Sequence, residues 1–292
     1  MTSNGPKVYL DYDQAELDRN YDQRAWAPNA DEVIKYWSTG SAAARARLKH
    51  RTNLAYGPTE DETLDIFPTD RPNAPVLVFI HGGAWRNLSK DDSSFAAPAF
   101  VEAGAHYVVL NFANIPKVRL PEMVAQVRRG VAWVYRNARS FGGDPERLYV
   151  AGCSSGGHLT ANVLVTDWPK LHDLPSTILK AGLCVSGMYD LEPVMLSARS
   201  GYVKISKEEE AELSPARHLD RIACPVAIAY GDKETDEFKR QARDFAAMLK
   251  GIGRLYDLVL CRGLNHFEVG SALADPASDL GRLALRMLEL KK

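Results

Sequence analysis

Short apolar runs alternate with amphipathic helical patterns along this chain, and the alternation constrains the fold more than any other feature. Seven runs rich in β-branched residues are short enough to be strands, at residues 64–67, 76–80, 107–112, 148–151, 178–185, 226–230 and 256–261. Between two of them, Met123, Val127 and Val131 recur on one helical face. Because parallel strands need crossover connections, we predict an α/β fold with a mostly parallel central sheet of about eight strands flanked by helices.

Two segments lie outside this alternation. The first fifty residues contain an aromatic, proline-containing stretch at 21–28 and a helical pattern at 31–49, with no run typical of a core strand. Residues 191–219 include three consecutive glutamates at 208–210 and favour exposed helix. We therefore predict a single domain over residues 1–292, with residues 1–50 as an N-terminal cap or arm and residues 191–219 as a helical cap insertion.

The charge balance excludes several classes of protein. The 292 residues carry 36 basic and 37 acidic side chains, with no long block of one sign that could follow a phosphate backbone. The N-terminus lacks the apolar core of a signal peptide, and the apolar runs are too short to span a bilayer. We expect a cytoplasmic protein without a nucleic-acid or membrane partner.

The four cysteines have no paired metal-ligand spacing, which favours reduced and mostly buried thiols.

A Gly-Cys-Ser-Ser-Gly sequence occupies residues 152–156, directly after the predicted strand at 148–151 and before a helical pattern. This is the context that a G-x-S-x-G nucleophile elbow requires, because the sharp turn between strand and helix exposes the serine hydroxyl. The small residues around the serine suit the crowded backbone of such a turn. The pattern predicts Ser154 as a nucleophile.

A second glycine-rich turn, His-Gly-Gly-Ala-Trp at residues 81–85, directly follows the predicted strand at 76–80. Adjacent glycines let backbone N–H groups approach a ligand without obstruction by a Cβ atom. With the amide of Ser155, the amides of Gly82 and Gly83 are predicted to form an oxyanion hole for an acyl-transfer reaction. An ordinary glycine turn is the alternative, which the elbow downstream makes less favourable.

A serine nucleophile needs a base, and the chain offers seven histidines: His50, His81, His106, His158, His172, His218 and His266. Only His266 follows the last predicted strand, where the chain order of serine, acid and histidine places the base. His81 belongs to the glycine turn and is expected to brace it. His158 lies four residues past the nucleophile and favours a hydrogen-bonded core position.

The acid is expected after the penultimate strand, where the loop at 231–238 carries four carboxylates. Glu234 is the first choice, because the third residue past Gly231 can fold back toward the histidine loop. Asp232 is the second choice, and the spacing along the chain does not separate the two. No HExxH or clustered ligand spacing is present, so we predict neither a metal nor a cofactor.

With these residues in place, the chain resembles the arylformamidase-like (kynurenine formamidase-like) branch of the α/β-hydrolases, close to the carboxylesterases with an HGGxW motif. The resemblance covers most of the chain and is carried by residues 81–85, 152–159, 237–241 and 265–267, with residues 21–24 and 40–41 near the N-terminus. It implies a Ser/acid/His triad and hydrolysis of small aromatic N-formyl amides or short-chain esters. Glu234 is a departure, since the family pattern commonly carries an aspartate as the acid.

These observations predict a serine hydrolase that cleaves small ester or amide substrates, with a preference for aromatic ones, through an acyl-enzyme. An aromatic pocket is predicted from Trp85, Phe112, Tyr189 and Phe267. Two alternatives stay open at this point. A short-chain carboxylesterase without formamidase activity would share the same residues, and a binding protein could use the fold without catalysis. The sequence leaves a homodimer open.

Overall fold

A twisted sheet lies at the centre of the computed structural model, which describes residues 5–290. Within these residues the sheet has eight strands in the order β1-β2-β4-β3-β5-β6-β7-β8. The strands are β1 (Arg51–Ala55), β2 (Thr63–Phe67), β3 (Ala74–Ile80), β4 (His106–Leu110), β5 (Gly143–Cys153), β6 (Ala181–Val185), β7 (Val226–Gly231) and β8 (Leu255–Cys261). The six strands from β4 to β8 in this order are parallel to one another. Strand β2 runs antiparallel to both of its neighbours, β1 and β4.

Helices cover both faces of the sheet. They are α1 (Gln14–Tyr21), α2 (Ala30–Arg47), α3 (Ala97–Ala103), α4 (Leu120–Asn137), α5 (Ser155–Leu164), α6 (Trp168–His172), α7 (Glu192–Leu196), α8 (Ser200–Val203), α9 (Lys207–Glu212), α10 (Asp236–Gly251), α11 (His266–Ser271) and α12 (Asp279–Met287). Along β3, Val76 and Val78 belong to one apolar core while Leu77 and Phe79 belong to the other. The predicted α/β fold with a mostly parallel sheet is confirmed.

The carboxyl ends of four parallel strands bring the predicted site loops together. The glycine turn follows β3, the serine turn follows β5, the acidic loop follows β7 and the histidine loop follows β8. Since parallel strands end at the same edge of a sheet, residues as far apart in the chain as Gly82 and His266 can share one site.

Three elements differ from the sequence prediction. Strand β1 was not predicted, because four of its five residues are exposed at the sheet edge and no apolar run marks it. Helix α1 was not predicted either, and it is a single eight-residue segment that begins with a capping box between Asp13 and Glu16. The strand predicted from residue 178 begins at Ala181, after a turn that starts at Pro175.

The two segments outside the alternation are helical and lie near the carboxyl edge of the sheet. The predicted helix at 31–49 is α2, and the segment at 191–219 contains α7, α8 and α9. Helix α1 packs against α7 and α10. In residues 5–290, every helix is too short or too polar to cross a bilayer.

Candidate active site

Ser154 lies in a strained turn between β5 and α5. Its φ angle is +58°, a conformation that side-chain-bearing residues rarely adopt and that proteins retain mainly at functional positions. The N–H of Ser154 donates to the carbonyl of Val185, at 2.8 Å, which anchors the turn to the neighbouring strand. The turn also packs closely against β3, because a Cβ atom on Gly156 would lie 2.1 Å from the carbonyl oxygen of Ile80. Only glycine permits this approach.

A chain of hydrogen bonds links Ser154, His266 and Glu234. The distance from Ser154 Oγ to His266 Nε2 is 2.8 Å, and the distance from His266 Nδ1 to Glu234 Oε2 is also 2.8 Å. Since a carboxylate can only accept, Nδ1 carries the proton and Nε2 is the acceptor for the serine hydroxyl. The arrangement has the geometry of a nucleophile, a general base and an orienting acid.

The carboxylate of Glu234 is almost fully buried, with 3% of the residue exposed. Its Oε1 atom accepts from the hydroxyl of Ser186, at 2.6 Å, and from the N–H of Gly231, at 2.7 Å. These two bonds hold the carboxylate in place, so that its other oxygen, Oε2, accepts from His266. Ser186 was missed by the sequence analysis, and the one signal for it was its position directly after β6 at the carboxyl edge of the sheet.

Asp232, the alternative acid, makes a different contact. Its residue is exposed, and Oδ1 accepts from the N–H of Gly263 at 2.7 Å. That bond ties the loop after β7 to the loop after β8. The structure therefore brings Glu234 together with His266 and Ser154, and it leaves Asp232 in a structural contact between two loops.

The predicted oxyanion turn lies directly beside the nucleophile. A Cβ atom on Gly82 would lie 3.4 Å from Cβ of Ser154, and Gly83 adopts a φ of +108°. A Cβ atom on Gly83 would lie only 1.9 Å from the carbonyl oxygen of Asn87, so the tight turn requires glycine there. The N–H of Trp85 donates to Ser155 Oγ at 3.2 Å, which ties this turn to the first residue of α5.

His81 and His158 are buried braces of the two turns. His81 Nδ1 donates to the carbonyl of Gly82, at 2.8 Å, and its ring stacks on Phe112 with a centroid distance of 4.1 Å. His158 Nε2 donates to the carbonyl of Leu213, at 2.8 Å, and Nδ1 accepts from the indole of Trp85. Burial lowers the pKa of His81 and that of His158 to about 4, so both rings are neutral near pH 7.

A cavity of about 750 Å³ opens above Ser154, His266, Gly82 and Gly83. Its volume is in the range of small-molecule sites. Its lining includes six aromatic side chains: Tyr21, Trp37, Phe79, Phe95, Tyr202 and Phe267. The reacting groups therefore lie at the base of a cavity whose sides include both aromatic and charged side chains.

Of the four predicted pocket aromatics, Phe267 lines this cavity, and the structure places the other three elsewhere. Positive φ angles at Ala84 and Trp85 turn the indole inward, where it is 1% exposed and meets His158 edge-on. Phe112 is used in the stack on His81, and Tyr189 stacks on Phe245 at 4.3 Å. Only Phe267 lines the cavity, where it meets the ring of His266 edge-on.

Three of the six aromatic residues that line the cavity come from the two segments outside the strand–helix alternation. Tyr21 and Trp37 belong to the N-terminal segment, and Tyr202 belongs to the segment at 191–219. The sequence signal for them was weak, since an aromatic residue in such a segment is as typical of packing as of a binding surface. In residues 5–290, no group of three or more His, Cys, Asp or Glu side chains has the arrangement of a metal site.

Several known proteins are similar to this chain. Residues 64–173 match the BD-FAE family model. The kynurenine formamidase of Danio rerio is 31% identical over 94% of this chain and 96% of its own length. The esterase LipC of Mycobacterium tuberculosis is 30% identical over 73% of this chain and 58% of its own length.

Two solved structures extend the comparison. A protein of Silicibacter sp. described as a candidate thioesterase superimposes with a TM-score of 0.81 at 27% identity, covering 91% of this chain and 98% of its own. An esterase of Pyrobaculum calidifontis superimposes with a TM-score of 0.69 at 18% identity, covering 91% of this chain and 97% of its own. The second match shows the fold alone.

Proposed function

Because this chain belongs to the kynurenine formamidase family of α/β-hydrolases, we propose that it hydrolyses small aryl N-formyl amides and aryl esters, with Ser154 as the nucleophile. The chain is a hydrolase of carboxylic ester or amide bonds. The observation that carries the assignment of residues is the continuous hydrogen-bond chain from Ser154 through His266 to Glu234 at the base of the cavity.

Catalysis proceeds by acyl transfer in two halves. His266 Nε2 takes the hydroxyl proton as Ser154 Oγ attacks the carbonyl carbon, and the resulting oxyanion accepts from the amides of Gly82, Gly83 and Ser155. The imidazolium then gives its proton to the leaving amine or alcohol. Water, deprotonated by His266, attacks the acyl-enzyme and releases the formate or other acid. Glu234 holds the Nδ1–H tautomer and stabilises the imidazolium in both halves.

The lining of the cavity supports an aromatic substrate. The rings of Trp37 and Phe267 are tilted by 32° with centroids 6.1 Å apart, and Phe95 stacks on Trp37 at 6.2 Å. A planar ring can pack against these faces, and aromatic pairs contribute about 0.5–1.5 kcal/mol beyond the area that they bury.

The decisive assay compares N-formylkynurenine with p-nitrophenyl acetate and butyrate on the purified protein. We expect turnover of the formamide and of the short esters, labelling by a fluorophosphonate, and loss of both in a folded Ser154→Ala variant. Ester hydrolysis with no formamide hydrolysis would establish the carboxylesterase instead. A folded protein with neither turnover nor labelling would indicate a binding protein.

A further inference from the structure

The end of β6 and the loop that follows it contact both the nucleophile and the acid of the site. The carbonyl of Val185, the last residue of β6, accepts from the N–H of Ser154 at 2.8 Å. The next residue, Ser186, donates from its hydroxyl to Oε1 of Glu234 at 2.6 Å. Two adjacent residues of one strand end therefore hold the two outer members of the hydrogen-bond chain.

The backbone of Ser186 is strained. Its φ angle is +49°, in the left-handed region that glycine adopts far more readily than a residue with a Cβ atom. The residue is fully buried, and its N–H donates to the carbonyl of Ala229 on β7 at 2.8 Å, so the sheet fixes this conformation. Proteins retain such strain mainly at functional positions. Since a glycine would fit this backbone with less strain, the reason for a serine here lies in its hydroxyl.

Tyr189 anchors the same loop on α10. Its N–H donates to Oε1 of Gln241 at 2.9 Å, and its ring stacks on Phe245 at 4.3 Å. Its hydroxyl accepts from the N–H of Gly187 at 3.2 Å. A Cβ atom on Gly187 would lie 2.8 Å from the ring of Tyr189, so the loop packs directly against that ring. These contacts leave the loop little freedom and keep the hydroxyl of Ser186 beside the acid.

The carboxylate of Glu234 depends on the donors around it, because a buried anion is stable only when hydrogen bonds replace its hydration. The N–H of Gly231 comes from the same loop, three residues before Glu234, so its bond ties the acid to its own loop. The hydroxyl of Ser186 comes from the loop after the neighbouring strand. Its bond therefore ties the acid to the part of the sheet that carries the nucleophile.

We propose that Ser186 is a positioning residue of this site. Its hydroxyl fixes the carboxylate of Glu234, which in turn orients the ring of His266 beside the nucleophile. Because Ser186 is fully buried, it acts through the acid and not on the substrate. Its loss should therefore lower kcat and leave KM nearly unchanged. The inference rests on the proposed function, since it concerns the same hydrogen-bond chain.

Two variants separate the hydroxyl from the backbone. Ser186→Ala and Ser186→Gly both remove the hydroxyl, whereas only the glycine relieves the strain of a positive φ angle. We expect each variant to lower kcat for p-nitrophenyl acetate by about tenfold to 10²-fold, the scale of one hydrogen bond to a charged group, with KM within about twofold of wild type. The glycine variant should unfold at a temperature no lower than that of the alanine variant. Activity would then follow the hydroxyl, and stability would follow the backbone.

Ser214→Ala is the matched control. Ser214 is as fully buried as Ser186, and its hydroxyl donates to the carbonyl of Glu210 at 2.7 Å and accepts from the N–H of Leu191 at 2.9 Å. The same substitution there removes a buried hydroxyl that does not contact the acid. We expect kcat within about twofold of wild type, even if thermal unfolding shows a loss of stability.

A double-mutant cycle tests whether Ser186 acts through the acid. In a Glu234→Ala background there is no carboxylate left to position, so the further change Ser186→Ala should lower kcat by less than about threefold. An equal loss of kcat in the wild-type and Glu234→Ala backgrounds would mean that Ser186 acts by another route, and it would overturn the proposal.

Wild-type kcat in a folded Ser186→Ala or Ser186→Gly variant would also overturn it and leave the hydrolase proposal standing. If Ser186→Ala does not fold, Ser186→Gly decides, because its backbone is less strained.

If the wild-type protein hydrolyses neither the esters nor the formamide, the proposed function fails, and proton NMR decides the positioning alone. The proton on Nδ1 of His266, hydrogen-bonded to a carboxylate, is expected to give a low-field resonance that is absent in His266→Ala. A shift or broadening of this resonance in Ser186→Ala, but not in Ser214→Ala, supports the proposal. The same resonance in the wild-type protein and in Ser186→Ala overturns it.

Discussion

The base and the sides of the cavity are built in different ways. The base, formed by Ser154, His266, Gly82 and Gly83, consists of loops that directly follow parallel strands. Its contacts include hydrogen bonds of 2.6–2.8 Å between buried or partly buried groups. The sides include aromatic and charged side chains from the N-terminal segment and from the segment at 191–219, together with Phe79, Phe95 and Phe267. Rigid geometry at the base serves the reaction, whereas the sides can vary to suit the substrate.

The two regions should therefore respond differently to small substitutions. A change of one atom at the base removes a proton-transfer or oxyanion contact, and its effect should appear in kcat. A change on the sides removes part of a packing surface, and its effect should appear mostly in KM for one class of substrate.

The largest expected effect separates the two candidate acids. Glu234→Gln keeps the shape of the side chain but removes the charge that orients His266 and stabilises its imidazolium. We expect a loss of at least about 10²-fold in kcat, with about 10⁴-fold as the upper scale for such a change. Asp232→Asn is the matched control, because the Asp232 carboxylate accepts from the N–H of Gly263, a bond that an amide oxygen can also accept, and it should stay within about tenfold of wild type.

Steady-state kinetics with p-nitrophenyl acetate measures both variants, and circular dichroism confirms that each one is folded. If Asp232→Asn were the damaging variant and Glu234→Gln the tolerated one, the acid would have to be assigned to Asp232.

The next effect concerns the oxyanion turn. A side chain at Gly83 would meet the carbonyl oxygen of Asn87 and would have to shift the turn, which should misplace an N–H donor and lower kcat by about 10²–10³. Gly201→Ala is the control, because a Cβ atom at Gly201 meets nothing within 4 Å. Normal turnover by a folded Gly83→Ala enzyme would exclude this turn from the oxyanion site.

The base of the cavity could be predicted from the sequence, whereas most of its sides could not. Each loop of the base directly follows an apolar run that is typical of a strand. Because a parallel sheet places the ends of such strands together, Ser154, Glu234 and His266 could be chosen from local patterns. The sides depend on how α1 packs against α10, a contact between residues more than 200 positions apart. No local pattern encodes it.

Trp85 shows that a residue close to the oxyanion turn in sequence need not line the cavity. It lies two residues past Gly83, so a place in the pocket was a reasonable prediction. The left-handed backbone at Ala84 and Trp85, with φ of +54° and +60°, reverses the direction of the side chain. The indole then fills the space beside His158. Backbone conformation of this kind follows from the packing of the whole turn, and residue type alone does not indicate it.

The smallest effect is expected at Phe267, the predicted pocket residue that does line the cavity. Its ring meets Trp37 at 6.1 Å and the ring of His266 edge-on at 5.6 Å. Phe267→Leu keeps an apolar surface but removes the aromatic face, so we expect KM for an aryl ester such as phenyl acetate to rise about twofold to tenfold, the scale of one aromatic pair. KM for ethyl acetate should change by less than twofold, and kcat should stay near its wild-type value for both, because the hydrogen bonds of His266 run to Ser154 and Glu234 and not to Phe267. A fall in kcat of more than tenfold for both esters would contradict the division between base and sides, since it would mean that Phe267 positions the imidazole.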